Sequence, residues 1–394
     1  MAERRTRLVE RMIVHGGLIE FSTLAAELVT PRTRYLVLDL DRTLHLGRNI
    51  GELLGWEIAA LRAFGLEELA RMEGARTTGR LLFDRSRLAG SMRYLWHGAR
   101  TWTVPGLYYF FWGKLPARSD WLRAWTYRRF GAEPVRTVQR VPQDTLLALM
   151  EHFPEETLRT LVEAVWDRHE PDQVIRREDL DALRRVAPSL EVVITSASPR
   201  LVVEVARERL GADYAEGSEP GHINTGPEKI ERLAQRFPLA LAAGTETVGV
   251  TDTGYGEDHC WTEHLTRVAD VNSDSPFPPF VSAGSPLQAI HSARLVTNAE
   301  RRRRAAGTAP WTDTRRPSVI PPERRELDLS QLAAWLGRWG DELEALQSDP
   351  ITNAWPIARL ARDARRALER LALGEAPATS GGPGALGAAG SVAV

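Results

Sequence analysis

Short uninterrupted apolar runs and long amphipathic ones alternate along the chain. The runs YLVLD at 35–39 and LEVVITS at 190–196 have no polar face, the pattern of strands buried on both sides in a parallel sheet. ETVGVTD at 246–252 and RVADVNS at 267–273 repeat that pattern. Between the first two runs, 3.6-residue periodicity predicts helices in GELLGWEIAALRAFGLEELARM, SDWLRAWTYRRFG, QDTLLALMEHF and EETLRTLVEAVWDRH. PRLVVEVARERLG, with Pro199 near its start and Gly211 at its end, and PEKIERLAQRF separate the later strands. The alternation predicts an α/β fold, a Rossmann-like parallel sheet with helices on both faces.

This pattern divides the chain into an N-terminal helical extension at 1–34, a core at 35–45 and 186–295, and a helical insert at 46–185. A linker rich in Arg and Pro follows at 296–326, then helices within 327–373. A Gly/Ala-rich tail at 374–394 carries a composition that builds no core. The arginine run 301–304 is expected to be a solvated part of the linker, not a contact for nucleic acid or acidic lipid.

Composition narrows the function classes. Hydrophobic residues make up 43% and charged residues 26%, as in a soluble globular protein, and the net charge of -1 gives no case for nucleic-acid binding. The single cysteine, Cys260, excludes an internal disulfide and fits a reducing compartment. No apolar run approaches the ~20 residues that span a bilayer, so a cytoplasmic protein without a transmembrane segment is expected. The aromatic stretch at 94–115 is expected to pack inside the insert. Its other readings are a greasy roof over the site or an interfacial surface that makes peripheral membrane contact.

The candidate chemistry lies at the strand ends. The first ends in Asp39 and Asp41, the second in Ser196 and the third in Asp252. Carboxylates so placed repel one another unless they face a cation, and ligands of open parallel sheets bind outside the carboxyl ends of the strands. Of 51 Lys and Arg residues only Lys114 and Lys229 are lysine, and Lys229 opens a helix next to this group. In so arginine-rich a chain, a retained lysine marks a place that needs a compact ammonium. Carboxylates, a hydroxyl and an ammonium around a cation constitute a phosphoryl-transfer site.

These motifs resemble the haloacid-dehalogenase (HAD) superfamily. Asp39-Leu40-Asp41-Arg42-Thr43 matches its DxDxT motif, VVITS ending at Ser196 its second, Lys229 its third, and Asp252 with Glu257 or Asp258 its fourth. The insert after the first motif and the segment 210–233 are similar to the phosphoserine-phosphatase-like branch. The resemblance implies that Asp39 is the nucleophile and Asp41 the general acid and base. It implies Mg2+ held by Asp39, the Asp41 carbonyl, Asp252 and one of Glu257 and Asp258, and phosphate held by Ser196, Ala197, Lys229 and Thr43.

Two positions depart from that pattern. The second acid of the fourth motif falls later than usual, and Arg48 stands where phosphoserine phosphatases carry a glutamate. An arginine repels a substrate amine and attracts a second anionic group. The implied activity is hydrolysis of a small-molecule phosphomonoester with a bulky apolar or aromatic body, and oligomeric state is left open. The alternatives are a phosphotransferase or tailoring enzyme on the same scaffold, or a catalytically silent binding protein. Arg42 is expected to point away and pair on the surface, and His259 and Cys260 to be packing groups rather than half a zinc site.

Overall fold

The computed structural model describes residues 6–72, 88–103, 140–254, 257–273, 277–307 and 323–332, with isolated positions in 107–130 and 367–374. In chain order the elements are β1 (Thr6–Leu8), β2 (Arg11–Ile19), α1 (Phe21–Leu28), β3 (Thr33–Leu38), α2 (Ile50–Phe64), α3 (Leu66–Arg71) and α4 (Leu88–Gly98). There follow α5 (Arg140–Met150), α6 (Glu155–Arg168), α7 (Arg177–Val186), β4 (Glu191–Pro199), α8 (Arg200–Leu210), β5 (Tyr214–Ser218) and α9 (Pro227–Arg236). The last are β6 (Glu246–Thr251), a 3-10 turn (Glu257–Glu263), β7 (Arg267–Val271), β8 (Phe280–Ser282), β9 (Ala289–Leu295), α10 (Asn298–Ala305) and β10 (Arg325–Glu326).

Eight strands form the central sheet in the order β10-β2-β9-β7-β6-β3-β4-β5. All pair in parallel except β10, which runs antiparallel to β2. β1 and β8 form a separate antiparallel pair. The four strands expected from the apolar runs are β3, β4, β6 and β7. Side chains of β3 alternate between faces, with Leu36 and Leu38 in one apolar cluster and Tyr35 and Val37 in the other. That two-sided burial is why the run reads as continuously apolar.

Two of the longer strands, β2 and β9, were not foreseen. Residues 11–19, expected as part of a helical extension, are β2, and 289–295 are β9. Each carries a buried histidine, His15 and His291, and β2 also holds Gly16 and Gly17, with a register shift between Val14 and Leu18 and Gly17 at φ 65. These residues interrupt the apolar pattern, so the sequence signal falls where the pairing does not. The stacked imidazoles satisfy each other across the strands, His15 Nε2 lying 3.1 Å from His291 Nδ1.

Arg302, Arg303 and Arg304 of the arginine run are exposed, but the run is helical rather than part of a linker. It lies on α10, whose first turn is closed by a capping box: Glu300 N donates to Thr297 Oγ1 at 3.2 Å and Thr297 N to Glu300 Oε2 at 2.7 Å. Arg301 then pairs with Glu20 at 2.7 Å and donates to the Val174 carbonyl at 2.7 Å. Of the expected C-terminal helices, Leu329, Leu332, Ala367, Leu368 and Leu371 pack into the second cluster, and the rest lies outside the described residues. The tail beyond Gly374 lies outside them as well. Among the described residues no helix is long and apolar enough to cross a membrane.

The insert leaves the core just after β3. Asn49 caps α2, its Oδ1 accepting from Glu52 N at 2.9 Å, and Ile50, Leu54 and Ile58 bury one face at helical spacing. Tyr94 of the aromatic stretch tilts against Trp56 and Phe64, with ring centroids 5.6 and 6.4 Å apart. On α4, Leu88, Met92, Leu95 and Trp96 form an exposed apolar face; much of 104–121 lies outside the described residues. The chain returns at Val174, whose N–H donates to the Leu44 carbonyl at 2.8 Å, while Leu46 N donates to the Asp172 carbonyl at 2.9 Å.

Two stability predictions follow from this packing. A Cβ on Gly217 would lie 2.5 Å from Arg200 Cα, so Gly217→Ala must push β5 from the start of α8. The expected loss is about 1–3 kcal/mol in denaturant unfolding. Burial pushes the His291 imidazole down to about 4, from about 6.5 in an unfolded chain. Between those values the unfolded state binds the extra proton, so this contribution is intact above pH ~6.5 and is lost as pH falls toward ~4, about 3 kcal/mol in all. His291→Gln is expected to flatten the acid limb of the stability profile; an unchanged limb would show that His291 does not titrate in this way.

Candidate active site

Order along the sheet decides where chemistry can occur. From β3 the chain proceeds to β4 and β5 on one side, and then crosses to β6 on the other. The carboxyl ends of β3, β4 and β6 therefore meet at a topological switch point, where the loops diverge and leave a crevice. Asp39 follows β3, Ser196 and Ser198 lie at the end of β4, and Asp252 follows β6. Lys229 reaches the same place from the first turn of α9, which opens at Gly226 (φ 59) with Pro227 as its first residue.

Lys229 is the hub of the cluster. Its Nζ lies 2.9 Å from Asp39 Oδ1 and 2.8 Å from Asp258 Oδ1, with all three residues buried. The ammonium also sits 5.7 Å from the ring centroid of the fully buried Trp261. Asp258 is fixed further by Thr251 Oγ1 at 2.5 Å and Thr253 Oγ1 at 3.1 Å, both donating to Oδ2. Of the two expected fourth-motif acids, Asp258 is thus at the site; the side chain of Glu257 lies outside the described residues. The late position reflects the 3-10 turn, which carries Asp258 back beneath the end of β6.

Asp41 is held quite differently. Its Oδ1 accepts from Ile50 N at 2.9 Å, and its Oδ2 accepts from Asn49 Nδ2 and Ser198 Oγ, each at 2.8 Å, and from Ser196 Oγ at 3.5 Å. Asn49 and Ser198 are site residues that the sequence reading missed. The signals were an asparagine at a helix start and the Ser-x-Ser at the end of β4. Asn49 does two jobs with one amide, its oxygen capping α2 and its nitrogen holding Asp41. Arg48, beside it, is exposed.

Ser196 accepts from Ser198 N at 3.1 Å, and Asn224 braces the same turn, its Nδ2 lying 3.2 Å from the Ser196 carbonyl and 3.0 Å from Thr195 Oγ1. The Ala197 carbonyl accepts from Ser218 Oγ at 2.7 Å. Thr43 is fully buried in the loop after Asp41, its hydroxyl without a hydrogen-bond partner among the described residues.

Arg42 does not point away. Its backbone is left-handed, at φ 62, and its Nε lies 3.5 Å from Asp252 Oδ2 with the side chain half exposed. β3 and β6 are neighbours, so a turn of that hand after Asp41 brings the side chain back over the end of β6. Such a conformation in a non-glycine residue is strained and persists only where the surroundings fix it. His259 and Cys260 are packed in the 3-10 turn beside Trp261. Burial pushes the imidazole down to about 4 and the thiol up to about 12, so at neutral pH neither ionises.

Four carboxylates, Asp39, Asp41, Asp252 and Asp258, thus share one buried ammonium and one half-exposed guanidinium. Burial raises Asp39 well above the usual carboxylate range against the pull of Lys229, with Asp258 and Asp252 adding repulsion. Asp252 is pushed up to about 7, mainly by burial, and Asp41 is raised, again by burial, against its hydrogen bonds. A converging set of oxygen donors with too little positive charge fits a hard divalent cation such as Mg2+.

No family model matches the sequence, and no curated protein matches it. Solved structures do resemble it. A HAD-family hydrolase from Salmonella enterica serovar Typhi is 12% identical over 63% of this chain and 65% of its own, with a TM-score of 0.32. A phosphoserine phosphatase in apo form is 12% identical over 71% of this chain and 100% of its own, with a TM-score of 0.32. An L-2-haloacid dehalogenase from Xanthobacter autotrophicus is 13% identical over 71% of this chain and 85% of its own, with a TM-score of 0.28. Among the solved structures similar to this chain are thus a HAD-family hydrolase, phosphoserine phosphatases and a haloacid dehalogenase.

Proposed function

We propose that the chain is a Mg2+-dependent hydrolase of phosphomonoesters that works through an aspartyl phosphate on Asp39. The observation that supports it most is the contrast between two neighbouring carboxylates. Asp39 is paired with an ammonium, whereas Asp41, half-buried, is held by neutral donors. The ammonium beside Asp39 pulls toward its ionised, nucleophilic form against the burial that raises it. Neutral donors around Asp41, with burial raising its pKa, suit a group that must alternate between acid and base.

In the first step an Asp39 carboxylate oxygen bonds to phosphorus as the ester P–O bond breaks, and Asp41 protonates the departing oxygen. In the second, Asp41 takes a proton from water as that water attacks phosphorus, the P–O bond to Asp39 breaks and inorganic phosphate leaves. Lys229 and Ser196 hold phosphoryl oxygens. Asp39, Asp252, Asp258 and the Asp41 carbonyl would hold the Mg2+, which supplies positive charge against the phosphoryl oxygens when bound. A substrate with a sizeable apolar body suits the aromatic insert, and Arg48 suits a second anionic group. A cytoplasmic protein acting on a small-molecule phosphomonoester fits the same reading.

The test is release of inorganic phosphate from a panel of phosphomonoesters, with Mg2+ and with excess chelator. Activity is expected only with Mg2+, and Asp39→Asn is expected to lower kcat at least about 10³-fold. Metal-independent turnover, or full activity in Asp39→Asn, would sink the proposal. Phosphate recovered on an added alcohol, rather than as the free ion, would make the enzyme a transferase. A finer measurement addresses Asp41: Ser198→Ala and Asn49→Ala each remove one of its 2.8 Å donors. Each is expected to cost about tenfold or more in kcat with little change in KM, since general acid–base catalysis contributes 10²–10⁴-fold in all.

A further inference from the structure

A second cluster of metal-ligating side chains lies where the insert joins the sheet. His45 is buried, 1% exposed, in the loop that carries Asp41. Its Nε2 is 3.1 Å from the His169 carbonyl, a contact that only an N–H can make favourable. The proton is thereby assigned to Nε2 and Nδ1 is left with a lone pair. That Nδ1 is buried and has no hydrogen-bond partner among the described residues. A bare acceptor in the interior is costly unless something meets it.

What faces it is a second imidazole and a carboxylate. His169 Nδ1 lies 3.3 Å from Asp172 Oδ2, and one ligand atom from each of His45, His169 and Asp172 lies within 4.8 Å of the other two. Gly47 leaves the space between them open. A Cβ there would come within 3.3 Å of His45 Nδ1, 2.5 Å of its Cε1 and 2.9 Å of Asp172 Oδ2. Two imidazoles and a carboxylate are a common donor set for zinc, with a fourth position left to solvent. An imidazole that binds metal through one nitrogen and donates the other N–H to a backbone carbonyl is the usual arrangement of such a ligand. Burial also pushes His45 down to about 4, so no proton competes at neutral pH.

A similar trio, His15, His291 and Glu27, shows what argues against a metal. There the imidazoles satisfy each other, and both oxygens of Glu27 are taken by Arg324 at 2.8 and 2.7 Å, a guanidinium that repels a cation. Among the described residues no such cation is paired with Asp172.

We propose that His45, His169 and Asp172 bind a zinc-class divalent metal that clips together the two chain segments by which the insert joins the core. Those segments already cross-link through Leu46 N to the Asp172 carbonyl and Val174 N to the Leu44 carbonyl. His45 bridges to both Asp41 and Gln173 along the backbone. On the outer side Asn298 of α10 donates to Glu170 Oε1 at 2.6 Å, and its own N–H to the Gln173 carbonyl at 2.8 Å. A metal here ties the loop bearing Asp41 to the returning end of α6, and so sets how freely the insert pivots over the crevice. The proposal shares no ligand with the Asp39 site and stands or falls apart from the phosphatase reading.

The test uses the full chain carrying Asp252→Asn, which weakens the competing carboxylate site, stripped of metal and titrated with Co2+. A visible d–d band of four-coordinate intensity is expected to saturate at one equivalent, to vanish on adding Zn2+ and to survive excess Mg2+. Adding Asp172→Asn or His169→Gln is expected to weaken Co2+ binding at least about tenfold. The Asp172 side chain is 45% exposed, so its isosteric amide keeps the fold, checked by circular dichroism. In the otherwise wild-type chain, Zn2+ is expected to raise Tm, and Asp172→Asn to abolish that shift. Absence of the band, its displacement by Mg2+, or equal affinity in the variants would overturn the site and leave a buried water as the partner of His45.

Discussion

The pairing of Lys229 with Asp39 and Asp258 is the interaction on which the rest of the site depends. Three buried charged groups from three separate elements meet within 2.9 Å. Removal of one partner from such a buried set leaves an uncompensated charge and costs about 3–5 kcal/mol. The ammonium therefore ties the first turn of α9 to the ends of β3 and β6 while it biases Asp39 toward the ionised form. Trp261 beneath it supplies a ring face and keeps water away.

The second constraint is the grip on Asp41. Its donors come from the end of β4 and from the first turn of α2, so one carboxylate records the position of both core and insert. A shift of α2 moves Asn49 and Ile50 N together and loosens the acid. The position of α2 and the grip on Asp41 are thus linked through two hydrogen bonds. The fold accepts a left-handed arginine at position 42 in the same loop, a cost of order 1–3 kcal/mol. Its guanidinium returns over Asp252 and offsets part of the carboxylate charge.

Much of this was legible before any coordinates. β3, β4, β6 and β7 announced themselves because strands buried on both faces cannot carry polar residues, and their ends announced the chemistry because Asp39, Asp41, Ser196 and Asp252 break those runs. Lys229 stood out against 49 arginines. β2 and β9 stayed hidden since each contains a histidine that is tolerable in the core only beside the other, and that pairing spans 276 residues.

The chain by itself therefore determined the alternation of elements, the parallel sheet and the kind of groups at the strand ends, since each follows from local periodicity and residue type. Only the tertiary structure decided which groups meet. Asn49 and Ser198 become partners of Asp41, Arg42 turns inward, and Asp258 lies against Lys229. His45 comes to face His169 and Asp172 across 124 residues of insert. These are long-range contacts between polar side chains, and polar side chains carry no periodic signal. Their partners are fixed by strand order and helix entry, which exist only once the sheet has formed.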